Sequence, residues 1–146
     1  MAAPDPERLA VWRSFLTAHS LLDRALNHAL LDERDIPLAW FEVLNALQLA
    51  GGSARVMDVA EHLVIGASSL SRQLNRMEEE GLIRRDRGRP DDQRAVVVVL
   101  TRDGRDAWRR ANTTYLRIVK RHFMAKLADS DVVTMQRVFG KILDTL

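Results

Sequence analysis

Between residues 68 and 76 the chain sets Ser68, Ser69, Ser71, Arg72, Gln73, Asn75 and Arg76 around Leu70 and Leu74. Hydroxyls, amides and guanidinium groups in that company hold no nucleophile with its base and no metal ligand set. Their chemistry is hydrogen bonding, to phosphate oxygens and to the edges of bases. Leu70, Leu74 and Met77 recur at helical spacing, so they share one face of a helix and leave the polar side chains on the rest. The acid is confined to the far end, in Glu78, Glu79 and Glu80. A helix that enters a DNA groove by its N-terminus brings its positive dipole end and small donors forward and holds its last turn away. Three glutamates there oppose the dipole at a small cost, which Arg84 and Arg85 offset in part. Gly81 suits a left-handed cap. The expected readers of sequence are therefore Ser68, Ser69, Ser71, Arg72, Asn75 and Arg76.

A second group of donors lies in Asp86-Arg-Gly-Arg-Pro-Asp-Asp-Gln-Arg94, which carries Arg87, Arg89 and Arg94. The flanking segments Leu82–Arg85 and Ala95–Leu100 read as strands, the second a β-branched run, so the loop becomes the basic tip of a β-hairpin. Arginine at such a tip can enter a narrow minor groove, and Asp92 can brace Arg94. Three nearby aspartates nearly balance these charges, so a merely solvated turn is the competing reading. A third group, Trp12, Phe15, His19, Trp40, Leu44 and Met57, joins aromatic and apolar bodies to a few polar edges. It is the expected lining of a small-molecule cleft for an aromatic or phenolic compound. Core or dimer contacts are the competing role for its aromatics.

Other chemistry finds little support. There is no cysteine, hence no disulfide, thiolate metal site or thiol switch. The histidines His19, His28, His62 and His122 lack metal-binding spacing, so neither a metal nor a cofactor is expected. No nucleophile elbow or phosphate-binding glycine loop occurs, so no catalytic residue is expected. The net charge of +2 is too small for a histone-like protein, and any nucleic-acid signal must come from where the charges lie. No apolar run reaches membrane-spanning length and the N-terminus lacks a signal-peptide pattern, so the expectation is a cytoplasmic protein without membrane contact.

The elements that position these groups follow in order. Asp5-Pro6-Glu7 opens a helix whose stripe Leu9, Trp12, Phe15, Leu16, His19, Leu22, Leu26 and Ala29 runs to about Leu31. A second helix opens at Pro37 and stops at Gly51-Gly52. Ala54–Val56 reads as a short strand and Asp58–Leu63 as a short helix, and Val64-Ile-Gly66 turns into the polar helix. Two short helices joined by such a turn form a helix-turn-helix. After the hairpin, Thr101 caps a helix with Ala107, Trp108, Ala111, Tyr115, Ile118, His122 and Phe123 in one stripe. Asp129-Ser130-Asp131 starts a last helix, with Val132, Met135, Val138, Phe139, Ile142 and Leu146 expected inward.

This order, and the motifs Ser68–Arg84 and Asp91–Gly104, resemble the MarR (multiple antibiotic resistance regulator) family of winged helix-turn-helix transcription factors. The family's wing pattern, Asp-x-Arg, a strand, then Leu-Thr-x-x-Gly, is met by Asp92, Arg94, Leu100, Thr101 and Gly104. The resemblance covers nearly the whole chain. It implies a single domain over 1–146, mainly α with a small β-hairpin wing. It also implies a winged helix-turn-helix lobe over 37–101 and dimerisation helices over 6–31 and 105–146. The implied function is transcriptional regulation, with double-stranded DNA, a palindromic operator, and a second copy of the chain as partners. A ligand-responsive repressor is the favoured form. Trp12, Asp58 and Arg84 or Arg94 also match in type a urate-sensing subset of that family. A winged-helix dimer that binds protein, or a helical-bundle enzyme with an unseen site, is the alternative.

Overall fold

The computed structural model describes residues 3–87 and 96–146. Asp5 caps the first helix, α1 (Pro6–Arg34): its carboxylate accepts from the backbone N–H groups of Glu7 (2.9 Å) and Arg8 (3.3 Å). The helix outruns the expected Leu31 by most of a turn and closes on Asp35, in the left-handed region at φ 54°. Only its second half is covered, through Leu26, Ala29 and Leu30, whereas Val11, Trp12, Phe15 and Leu16 stand exposed. The next helix, α2 (Leu38–Leu49), buries Leu38, Phe41, Val43, Leu44, Ala46 and Leu47, and forms the centre of the core.

Strand β1 (Ser53–Arg55) begins one residue earlier than the sequence suggests, because Val56 already opens α3 (Val56–Leu63). Val64 ends α3 in the left-handed region at φ 55°, a costly conformation for a β-branched residue that is 90% exposed. Helix α4 (Ala67–Glu79) follows, and Leu70, Leu74 and Met77 are its three buried residues. Strands β2 (Ile83–Asp86) and β3 (Val97–Leu100) then pair antiparallel, Ile83 opposite Leu100 and Asp86 opposite Val97. The expected two-stranded hairpin is in fact part of a three-stranded sheet ordered β1-β3-β2, with Ser53 opposite Val99. A lone two-stranded ribbon is marginal in water, and the β-branched run of β3 accepts a partner on both edges.

Thr101 turns the chain from β3 into α5 (Arg102–His122) and clasps three segments. Its hydroxyl accepts from Gly104 N–H (3.0 Å) and donates to the Gly81 carbonyl (2.6 Å), while its own N–H donates to the Leu82 carbonyl (3.2 Å). Helix α5 crosses back over α1. There the buried Thr114 hydroxyl accepts from Arg34 Nε (3.0 Å) and donates to Glu33 (2.9 Å), which Arg117 also contacts. A short 3-10 turn (Met124–Lys126) leads to α6 (Asp129–Leu143). The inward face expected for α6 is not inward within the chain: Val132, Val138, Phe139, Ile142 and Leu146 are all exposed and no residue of the helix is buried. No helix among the described residues is long and apolar enough to cross a membrane.

Where α1, α2 and α5 meet, Glu42 shares a charged neighbourhood with His19, Asp23 and Tyr115. Desolvation by the helices packed around it pushes the Glu42 carboxyl above the usual carboxylate range, although the residue keeps an exposed edge, and Asp23 adds to the rise while His19 opposes it. The folded state thus binds this proton more tightly than the unfolded chain. Ionised Glu42 costs stability at neutral pH, and that cost disappears as pH falls through its raised pKa toward the ordinary value of 4.5. Glu42→Gln is expected to melt at a higher temperature than the wild type at neutral pH, with the two curves converging in acid. Melts across the pH range check this; a gap that is constant with pH contradicts it.

Candidate nucleic-acid interface

Helix α4 holds its polar side chains in place by its apolar ones. With Leu70, Leu74 and Met77 sealed into the core, Ser68, Ser69, Ser71, Arg72, Asn75 and Arg76 are all exposed. Gly66, extended at φ -68° and ψ 146°, precedes the helix, so its first N–H groups meet no side-chain cap and the dipole's positive end is open. Arg72 Nη2 approaches Ser69 Oγ at 3.4 Å, one turn back.

Two amides on this helix are engaged from outside it. Trp40 Nε1–H of α2 donates to Gln73 Oε1 at 2.9 Å, and Arg85 of β2 donates through Nη2 to Asn75 Oδ1 at 2.7 Å. Arg85 also bonds Glu78, through its backbone N–H (2.9 Å) and Nε (3.2 Å), and this pairing holds the Glu78 carboxyl below its usual range. Of the two arginines expected to offset the acidic end, Arg85 therefore does so; Arg84 pairs instead with Asp86 at 3.2 Å. Sequence reasoning missed Arg85 and Gln73 as scaffold. The only signal was their placement at the end of a strand and on the flank of a helix, and neither names a partner. Arg87 is exposed at the end of the described strand; Arg89 and Arg94, with the rest of the hairpin tip, lie outside the described residues.

The six residues expected to line a cleft divide into groups. Trp12, Phe15 and His19 follow one another along the exposed half of α1, Trp12 stacked on Phe15 and Phe15 tilted against His19, with Phe15 also against Phe139 of α6 at 6.0 Å. Trp40 is half-buried against α4, Leu44 is fully buried in the core and Met57 is exposed on α3. A separate groove of about 320 Å³ opens between α2, β1 and α3, lined by Leu49, Ala50, Ala54, Asp58, Val59 and His62 among others, and none of the six reaches it. Of the residues matching the urate-sensing type, Asp58 thus lines a groove, Trp12 stands on distant α1 and Arg84 is tied to Asp86. Among the described residues no group of three or more His, Asp or Glu side chains is disposed to hold a metal ion.

A short helix, a turn, a helix with a polar outer face, and a three-stranded antiparallel sheet together have the architecture of a winged helix-turn-helix lobe. A family model described as "MarR family" matches residues 34–95. AbsC, a MarR family transcriptional regulator from Streptomyces coelicolor, superposes with a TM-score of 0.88 at 27% identity over 99% of this chain and 97% of its own. A second regulator from that organism, Sco3205, solved in complex with DNA, gives 0.87 at 24% over 100% and 91%. The organohalide-sensing regulator RdhR-CbdbA1625, in its 2,4-dichlorophenol-bound form, gives 0.80 at 21% over 99% and 87%. The last two are likenesses of fold. No curated protein sequence matches significantly. The chain thus has the fold of MarR family transcriptional regulators over nearly its whole length and matches that family's model over residues 34–95.

Proposed function

We propose that the protein is a ligand-responsive repressor that binds a palindromic operator as a homodimer. The observation that carries the reading is α4: a fully seated apolar face, an open N-terminus and an outer face of serines, arginines and Asn75. Its first turns would enter the major groove, with Ser68, Ser69, Ser71, Arg72, Asn75 and Arg76 supplying the contacts. Arg87, Arg89 and Arg94 would add affinity through the backbone and the adjacent minor groove. Residues 6–31 and 105–146 would hold the dimer, which the exposed apolar faces of α1 and α6 support.

A ligand between the dimerisation helices and the DNA lobe, near some of Trp12, Phe15, His19, Trp40, Leu44 and Met57, would favour a lobe spacing unable to place both α4 helices one helical turn of DNA apart. RdhR-CbdbA1625, bound to a chlorinated phenol, supports an aromatic or phenolic class. A preference of about 1.4 kcal/mol between the two spacings would lower operator affinity tenfold. The test is a mobility shift with a duplex spanning the upstream region of the protein's own gene. Binding that weakens steeply with salt, and again with 2,4-dichlorophenol, salicylate or urate while Trp fluorescence is quenched, supports the reading. A duplex that never shifts ends it.

A further inference from the structure

Asn75 lies among the exposed side chains of α4, yet its amide is not free to turn. A guanidinium has only donors, so the Asn75 atom that Arg85 meets at 2.7 Å is the oxygen. Arg85 is itself fixed from two sides: Glu78 accepts from its backbone N–H at 2.9 Å and from its Nε at 3.2 Å. Its side chain is only 15% exposed, and β2 anchors its backbone opposite Val98 of β3. The contact therefore ties the reading helix to the first strand of the wing, with its acceptor end drawn toward β2.

We infer that Arg85 is a positioning residue that turns Asn75 into a donor, so that Asn75 presents its Nδ2–H2 outward to an acceptor: a phosphate oxygen, guanine O6 or N7, or thymine O4. Asparagine usually reads adenine with both ends of its amide in the plane of the base, its oxygen taking the N6 amino hydrogen. Here the oxygen is committed sideways to a charged donor, and charge-assisted bonds of this kind are roughly twice as strong as neutral ones. Turning the amide to face adenine would break that bond and leave a mostly covered guanidinium with one partner fewer. Arg85 thus serves recognition without touching DNA. Glu78 explains why an acidic residue sits at the end of this helix: it accepts from the Arg85 backbone and guanidinium together.

The inference rests on α4 being the reading helix, and the test separates the two. Asn75→Asp keeps an oxygen for Arg85 but replaces the outward amino group with a second oxygen. It is expected to fold as the wild type does and to lose about tenfold or more in operator affinity. Arg85→Gln is expected to change base preference at one symmetry-related pair of operator positions, read from a panel of singly substituted duplexes, and that change should vanish in an Asn75→Ala background. Wild-type affinity in Asn75→Asp, or a preference change that persists without Asn75, overturns the inference, even where Arg72→Ala still weakens binding as the wider reading requires. If Arg85→Gln fails to fold, Asn75→Asp decides alone. A wild-type protein that binds no duplex sinks both.

Discussion

Deleting Val138–Leu146 is expected to abolish dimerisation and operator binding in one step. Helix α6 buries none of its residues within a protomer, and Val138, Phe139, Ile142, Leu143 and Leu146 all lie open. Covering a side chain of this size stabilises by about 1.5–3 kcal/mol, and a symmetric interface counts each one twice. The same helix meets Phe15 of α1 through Phe139, so its loss also strips the exposed half of α1 of an aromatic neighbour. Binding falls with the dimer because two linked lobes gain about 10²–10⁴ in avidity over one. Sedimentation at micromolar concentration, run beside an operator titration, reads both quantities. A truncated chain that stays dimeric would place the interface elsewhere.

Gly104→Ala is expected to cost about 3 kcal/mol or more and to lower the melting temperature by about 10 °C. A Cβ there would lie 1.9 Å from the Leu82 carbonyl oxygen and 2.9 Å from its carbon. Neither atom can yield cheaply, since Leu82 O accepts from Thr101 N–H and the preceding Gly81 carbonyl accepts from the Thr101 hydroxyl. The wing pattern Leu-Thr-x-x-Gly acquires a physical meaning from these contacts. Thr101 caps α5 and clasps the strand entry, and Gly104 lets the helix lie directly on that backbone. Thermal melts followed by circular dichroism check the figure, and a variant melting with the wild type contradicts it.

The helices were legible because their signals are local. Asp5 and Thr101 cap where a short side chain with an acceptor precedes a periodic apolar stripe, and Leu70, Leu74 and Met77 are buried as their spacing requires. Gly81 takes the left-handed conformation expected of it, at φ 76°. What could not be read was pairing at a distance. A three-residue strand such as β1 has no period of its own, and its place beside β3 is decided by the sheet. The partner of each arginine was equally hidden: Arg84 and Arg85 are neighbours, yet opposite faces of β2 send one to Asp86 and the other to Glu78 and Asn75. The stripe of α6 was recognised as apolar and expected in a dimer seam; within the chain it stays exposed. Val64 in the left-handed region was likewise out of reach, since a β-branched residue is the last that propensity would put there.

The most direct measurement is the operator affinity of Arg72→Ala and Arg76→Ala against that of the wild type, by fluorescence anisotropy over a range of salt concentrations. Both side chains project from the outer face of α4, and a forked contact to guanine is worth about 1–3 kcal/mol. Each variant should keep the wild-type melting temperature and bind its operator about tenfold or more weakly, with the loss much smaller on unrelated duplex. Full operator affinity at physiological salt in both variants would mean that α4 is not the reading helix.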